Sequence, residues 1–388
     1  MGLSFYSQFF SEPLYFSYCW TNFEALKKIL VIRFSSIGDI VLTTPVIRVL
    51  KKQLNAEVHY LTKNAYSSLL KNNPNIDQLF SIKNSILEIQ KDLKDQKYDF
   101  IIDLHNNLRS SLLISLGSPV KRYVKSNFKK FLFRNFGINF LRNQHVVDRY
   151  LDTISFLKTK NDNLGLEYYI DESTSVDFDL KEKYIAWAIG GSKIQKKISV
   201  NQINELSKEL NFPILLIGGD KEKNTGELIK EKCKGLNITN LCGSLDLDQS
   251  AFVIKHSLCL FSNDTGMMHI GAAFNKKIVS FWGCTKPNMG FYPYVKKENS
   301  MLVVSSNSQR QCSKHGDSCR YSKDGCIKQI NIDENLLEKI KRETIKVVFF
   351  AKFVSEKDIE SHDKELTSSN LINSESSSET HTSFTNKK

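Results

Sequence analysis

Apolar runs of strand length alternate with segments of helical period along most of the chain. "ILVIRF" at 29–34 gives way to a polar turn, "SSIGD", and then to the helical stretch "TPVIRVLKKQL". Thr44 followed by Pro45 fits an N-cap and a first helical position, and equally a kink within one longer helix. "EVHYLT" follows, then a helix near 65–72, "YDFIIDL" at 98–104, a helix from Asn107, and "KRYV". After the polar stretch "DESTSVDFDLKEK" the rhythm restarts. "YIAWAIGG" (184–191) and "PILLIGGD" (213–220) each read as a strand running into a glycine turn. A helix from about Lys221, "ITNLCGSLD", a helix to Lys255, "SLCLFSND" and "KKIVSFWG" (276–283) complete the second half. Strands alternating with helices predict parallel sheets covered on both faces, and the restart predicts two α/β domains. The expected division is 27–175, 176–330 and a helix over 331–353 that is free to pack back across the boundary.

Composition adds the ends and the charge. A chain of 388 residues suits two domains of common size. It has no run of about 18 uncharged apolar residues, so a membrane-spanning helix is not expected. Residues 1–26 lack the layout of a secretion signal, and Tyr6 stands where N-myristoylation wants Ser or Thr. They read as an extension outside the fold. Residues 354–388, rich in Ser, Glu, Thr and Lys, cannot bury enough apolar area to offset their ordering entropy and are expected to be disordered. The net charge is +12, and the excess concentrates between Lys121 and Arg149, where Phe128, Phe131, Phe133, Phe136 and Phe140 interleave with the cations. That mixture fits a membrane surface or an acidic substrate, or simply a helix with a basic outer face and a Phe core side. No nucleic-acid-binding motif accompanies it, so a nucleic-acid partner is not expected.

Candidate chemistry sits in three strand-to-helix loops, where doubly wound sheets collect ligands. In "SSIGD", Gly38 permits close backbone approach, and Asp39 is either a helix cap or a general base. In "FSNDTGMMHIGAAF" (261–274), Thr265 and Gly266 open a helix whose amides suit an anion, and His269 lies one turn further on the same face. The plain reading of that segment is Asp264 as cap, the Met pair as core and His269 as a satisfied partner. "GGSKIQKKIS" offers Lys193, Lys196 and Lys197 after a glycine turn, either as phosphate ligands or as surface charge. Neither glycine pair belongs to G-x-G-x-x-G or to a P-loop, which removes most support for a dinucleotide oxidoreductase or a P-loop enzyme.

Cysteines occur at 19, 233, 242, 259, 284, 312, 319 and 326. Most of the earlier ones fall in or beside apolar stretches, which suits reduced, buried thiols. The last three form C-x6-C-x6-C, gaps wider than the about two to four usual within a zinc ligand pair. Zinc at Cys312, Cys319 and Cys326 is therefore not expected.

"KILVIRFSSIGDIVLTTPVIRVLK" and "NDTGMMHIGAAFNKKIVSFWGCTKPNMGFYPY" together resemble the ADP-heptose:lipopolysaccharide heptosyltransferases of glycosyltransferase family 9. "DLHNNLRS" (103–110), "HVVDRYL" (145–151) and "GGSKIQKKIS" keep the family's order and spacing, from about Lys28 to Lys328. The resemblance implies a GT-B fold: two Rossmann-like doubly wound domains facing a central cleft, acceptor on the amino side and nucleotide-sugar on the carboxyl side. It implies an inverting transfer of a heptose or related sugar from an ADP-sugar to a lipopolysaccharide inner-core hydroxyl. Asp39 would be the base; Lys196, Glu222, Asp264, Thr265, Gly266, Met267 and His269 would hold the donor; Ser36, Gly38 and Arg109 would serve the acceptor. No cofactor or metal is implied, since cations and a helix end would stabilise the leaving diphosphate. The acceptor would be an anionic lipid-linked core saccharide, which suits a cytoplasmic protein attached peripherally to the inner membrane. The family's K-x-W-P segment reads Lys196-Lys197-Ile198-Ser199 here, so Trp and Pro are absent and the lysine in question is open. A GT-B-like sugar-nucleotide epimerase and a non-catalytic glycan-binding relative are the alternatives.

Overall fold

A computed structural model describes residues 27–344 except 112–115, 139, 141–143, 179–182, 297–300, 307–309 and 314. The segments 1–26 and 354–388 lie outside the described residues. The amino-terminal sheet comprises β1 (Lys28–Ile32), β2 (Glu57–Lys63), β3 (Gln78–Ile82), β4 (Phe100–Asp103) and β5 (Val120–Arg122), all parallel, in the order β3-β2-β1-β4-β5. The second sheet comprises β6 (Ile185–Ala188), β7 (Ile214–Ile217), β8 (Ile238–Asn240), β9 (Cys259–Asn263), β10 (Lys277–Trp282) and β11 (Met301–Ser305). Its order is β11-β10-β9-β6-β7-β8, again parallel throughout. In each sheet the chain winds outward in one direction and then reverses beside the first strand, between β1 and β4 and between β6 and β9. Those reversals are the topological switch points at which a crevice opens past the strand ends.

The helices are α1 (Ile37–Val41), α2 (Thr44–Leu54), α3 (Gln90–Asp95), α4 (Leu108–Ser111), α5 (Asn127–Phe136) and α6 (Val146–Asp152) in the amino lobe. In the carboxyl lobe they are α7 (Val200–Ser207), α8 (Lys223–Lys232), α9 (Leu247–His256) and α10 (Gly266–Ala273). Covered on both faces, the central strands are apolar at successive positions: Ile29 through Ile32 and Ile185 through Trp187 are each fully buried. One apolar cluster runs through both lobes, containing Ile29 and Tyr150 with Ala186 and Met268.

The join between α1 and α2 settles the Thr44–Pro45 ambiguity. Thr43, not Thr44, is the N-cap, and Pro45 falls one position later than expected. Pro45 has no N–H for the carbonyl of Val41; the Thr44 hydroxyl donates to it instead, at 2.8 Å. The segment near 65–72 is a 3-10 helix over Asn64–Leu70. β3 and β11, which the apolar pattern did not mark, are edge strands of mixed exposure and so carry no continuous apolar run. Residues 334–344 are helical. This stretch packs on the carboxyl lobe rather than across the boundary: Ile340 joins Ile185 and Phe281, and Lys341 and Glu343 pair with Glu209 and Lys277. Residues 345–353 of the expected helix lie outside the described residues.

Candidate active site

The loop after β1 is built around Arg33. Its Nε donates to the Ser35 carbonyl (2.7 Å), its Nη1 to the Leu104 carbonyl (2.8 Å), and its Nη2 pairs with Asp39 Oδ1 at 2.8 Å. One guanidinium thus ties the loops after β1 and β4 together and fixes the carboxylate of Asp39. The other carboxylate oxygen accepts from the Ser36 backbone N–H (3.3 Å) and hydroxyl (3.1 Å), which makes Asp39 the third residue of a capping box on α1. Burial pushes the Asp39 carboxyl up, but Arg33 and the Ser36 donors outweigh it and hold it below its ordinary value. Asp39 is therefore ionised, and a quarter of its side chain faces solvent.

Opposite this loop stands the start of α10. Its N-cap is Thr265, whose side chain makes no capping bond, so the cap reading of Asp264 does not hold. The Asp264 carboxylate instead accepts from Lys196 Nζ (2.6 Å) and from the Thr285 hydroxyl (2.8 Å). Among the described residues no side chain caps the first amides of α10, the arrangement that binds anions at helix ends. Met268 is buried in the core, and Met267 is half-buried and packs against the same core.

The two loops touch. A Cβ on Gly38 would fall 2.5 Å from His269 Cδ2, and one on Gly266 would fall 2.6 Å from Ile37 Cγ2. Glycine at both positions lets the β1 loop and the α10 start meet edge to edge. Gly38, placed by resemblance toward the acceptor, is buried in that contact, so its role there is steric. His269 is 4% exposed, and its Nδ1 has no hydrogen-bond partner among the described residues. Burial pushes its pKa down to about 4, with Lys196 adding to the drop and Asp264 and Asp39 opposing it. The imidazole is neutral at pH 7 and can donate one N–H.

Asn263, which the sequence offers with Asp264 as a helix cap, instead pins the lysine loop. Its amide donates to the carbonyls of Ile189 (3.1 Å) and Gly190 (3.0 Å) and accepts from Ile198 N–H (3.3 Å). The lysines then separate by partner: Lys197 pairs with Glu222, Lys196 with Asp264, and Lys193 is exposed. Glu222 also accepts from the Gly219 N–H at 3.1 Å and lies against Gly190. Arg33, Asn263 and Thr285 had one legible signal in common, a polar residue at or just past the end of a buried strand.

On the amino side, Asp103 organises "DLHNNLRS" by accepting from the Ser110 hydroxyl (2.6 Å) and from the N–H groups of His105 and Asn106. Arg109 is exposed on α4 and pairs with no described acid. Beyond β5 lies a cavity of about 450 Å3 whose walls carry Lys121, Arg122, Lys129 and Arg149 against one acid, Asp152. Segment 287–294 crosses from the carboxyl lobe to close this side. Gly290 accepts from the Val146 N–H (2.9 Å), and the Tyr292 carbonyl accepts from His145 Nε2 (2.8 Å). The pairing of "HVVDRYL" with "GFYPY" is thus a contact between lobes.

Paired Rossmann-like lobes whose switch-point loops meet, with a carboxylate on one side and a helix start with a lysine on the other, have the GT-B architecture of glycosyltransferases. The family profile of glycosyltransferase family 9 (heptosyltransferase) matches residues 86–322, and the chain belongs to that family. Lipopolysaccharide heptosyltransferase 1 of Campylobacter coli is 25% identical over 81% of this chain and 98% of its own length. A family 9 glycosyltransferase structure from Veillonella parvula superposes with a TM-score of 0.66 at 21% identity, covering 82% of this chain and 98% of that one. The E. coli heptosyltransferase WaaC with ADP gives a TM-score of 0.61 at 16% identity, covering 82% and 99%.

Proposed function

We propose that this protein transfers a heptose, with inversion, from ADP-heptose to a hydroxyl of the lipopolysaccharide inner core. The observation that carries the reading is the meeting of ionised Asp39 with the uncapped start of α10 through the Gly38–His269 contact. The donor diphosphate would accept from the Thr265–Gly266 end of α10 and from Lys196, with Met267 against the nucleotide and Glu222 toward the ribose. The acceptor oxygen attacks the anomeric carbon from the opposite face as the bond to the diphosphate breaks. Its proton passes to Asp39, and ADP leaves with the bonding pair. The helix end, Lys196 and neutral His269 stabilise the charge that develops on the diphosphate. Ser36 and Arg109 border the acceptor side, and the basic cavity beyond β5 suits an anionic lipid-linked saccharide.

The test is a thermal-shift panel with ADP, UDP, GDP and NAD+. Ligand at a hundredfold excess over Kd adds about 2.7 kcal/mol of stability. ADP alone is expected to raise Tm by several degrees. A preference for UDP or GDP moves the donor, and no response favours the non-catalytic alternative. Turnover of ADP-heptose without acceptor would instead indicate an epimerase.

The membrane side has its own support in α5. Phe133 is buried, but Phe128, Phe131 and Phe136 are 72%, 44% and 62% exposed, among Lys129, Lys130 and Arg134. Only one of these Phe side chains therefore serves the core, and the rest form an apolar, basic surface suited to peripheral attachment on the inner membrane. No helix among the described residues is long and apolar enough to cross a membrane. Replacing Phe128, Phe131 and Phe136 together by Ser should lower co-sedimentation with anionic vesicles more than about tenfold. Unchanged sedimentation would remove α5 from the membrane contact.

A further inference from the structure

We propose that Cys284, Cys312, Cys319 and Cys326 hold one tetrahedral metal ion, zinc or iron, as a structural site behind the donor loops. Spacing had argued against zinc on the last three cysteines alone; the fold supplies a fourth, Cys284, from the loop after β10. All four Sγ atoms lie within 4.8 Å of one another. Cys284–Cys326 is 3.7 Å, and Cys312–Cys319 and Cys312–Cys326 are both 3.8 Å. A tetrahedron with metal–sulfur bonds of about 2.3 Å has edges of about 3.8 Å, the separation of these three pairs. A disulfide would need about 2.0 Å, and none of the four is in one.

Apolar packing gives no other reason for the arrangement. The cluster contains these sulfurs and no aliphatic or aromatic side chain. Cys284, Cys312 and Cys326 are buried and Cys319 is half-buried. The surroundings are those of a thiolate-bound ion. The Tyr321 N–H donates to Cys319 Sγ at 3.4 Å, and the Cys312 N–H to the Cys284 carbonyl at 3.0 Å. Arg320 Nε donates to the Cys312 carbonyl at 3.1 Å. Lys286 is buried, and its amine donates to Ser305 and Ser306. Binding a divalent ion releases the thiol protons and leaves a doubly negative tetrathiolate, which these cations offset. A tetrahedral all-sulfur set takes zinc or iron.

The knot backs the donor loop. Gly325 has φ of +95°, and a Cβ there would fall 2.8 Å from Gln195 Cα. Gly316, with φ of +70°, lies against Lys196, where a Cβ would be 3.0 Å from Lys196 Cε. Ile327 packs on Gly283, next to Cys284. The ion would thus fix the chain behind Lys196 and take no part in the transfer.

The experiment is elemental analysis of the full chain, purified without a polyhistidine tag or added metal, with X-ray absorption at the edge of the metal found. One ion per chain with four sulfur ligands at about 2.3 Å is the expected result. A sulfur-to-metal absorption band in the visible assigns iron, and its absence from metal-replete protein assigns zinc. Less than stoichiometric metal, nitrogen or oxygen ligation, or a disulfide between any two of the four overturns the proposal. Cys319→Ser removes the half-exposed ligand, the one mildest for the fold. It should speed metal loss to a chelator at least tenfold, and retention equal to the parent protein's would also overturn the site. Both readouts stand apart from the donor assignment, because neither uses ADP nor activity.

Discussion

Asp39→Asn is expected to lower turnover by about 10²- to 10⁴-fold, the range for loss of a general base, with ADP affinity nearly unchanged. The substitution is chosen because Asp39 does two things in the structure. It closes a capping box on α1 with Ser36, and its ionised carboxylate pairs with Arg33 next to Gly38, the residue that packs on His269 of α10. Asparagine keeps an acceptor for Ser36 and loses the site that takes a proton, so a pure cap would survive the change. Asp39→Ala removes both, with a cap loss of about 1 kcal/mol in stability. Parallel loss of ADP affinity and turnover in the Asn variant would make Asp39 structural. The pH dependence follows from the depressed pKa. The folded value lies below the ordinary 3.8, so the ion pair's stabilisation is complete above 3.8 and is lost as pH falls through the folded value. A kcat/KM profile should accordingly show no loss from Asp39 protonation between about pH 5 and 8. So weak a base takes the acceptor's proton only as the new bond to the anomeric carbon forms.

The parts of this site legible in sequence were those written in one stretch of chain. β1 and β9 are buried on both faces, so each is a continuous apolar run, and the polar loop that follows stands out against it. Asp39, Thr265 and His269 became candidates that way. Edge strands β3 and β11 were missed because half-exposed strands carry no such run. Partnerships across the fold were the other gap. Nothing local says that Arg33 will hold Asp39, that Asn263 will pin the lysine loop, or that Cys284 will close a ring with three cysteines beyond residue 311. The spacing argument against zinc could not weigh Cys284, because ligand spacing counts only neighbours in sequence and the fourth sulfur arrives through the β10–β11 crossover. The Phe-rich basic segment was left between a core and a surface reading, because burial of Phe133 and exposure of Phe128, Phe131 and Phe136 depend on what the lobe packs against α5.

Lys196→Ala should weaken ADP binding by about 10- to 100-fold, the effect of losing one hydrogen bond to a charged group, about 1.5–3 kcal/mol. Three lysines lie in this loop, and their partners separate them. Lys193 points to solvent, Lys197 is committed to Glu222, and Lys196 reaches Asp264 at the mouth of the α10 amides. The Lys196–Asp264 pair is mostly shielded, with 14% and 13% of the side chains exposed. Removing the lysine therefore does more than delete a phosphate ligand: it leaves the Asp264 carboxylate unpaired beside a diphosphate of the same sign. That second effect gives the prediction its check. Asp264→Asn alone should weaken ADP binding, because Lys196 and the Thr285 hydroxyl lose their anchor. In the Lys196→Ala background the same change should recover part of the lost affinity, because the repulsion goes with the charge. Calorimetric ADP titration of the four proteins measures the coupling. Additive losses would mean that the two residues act apart, and unaltered affinity in Lys196→Ala would remove this lysine from the donor site. A sub-additive cycle would instead identify the pair as one device, in which the acid holds the lysine ready and the donor diphosphate draws it away.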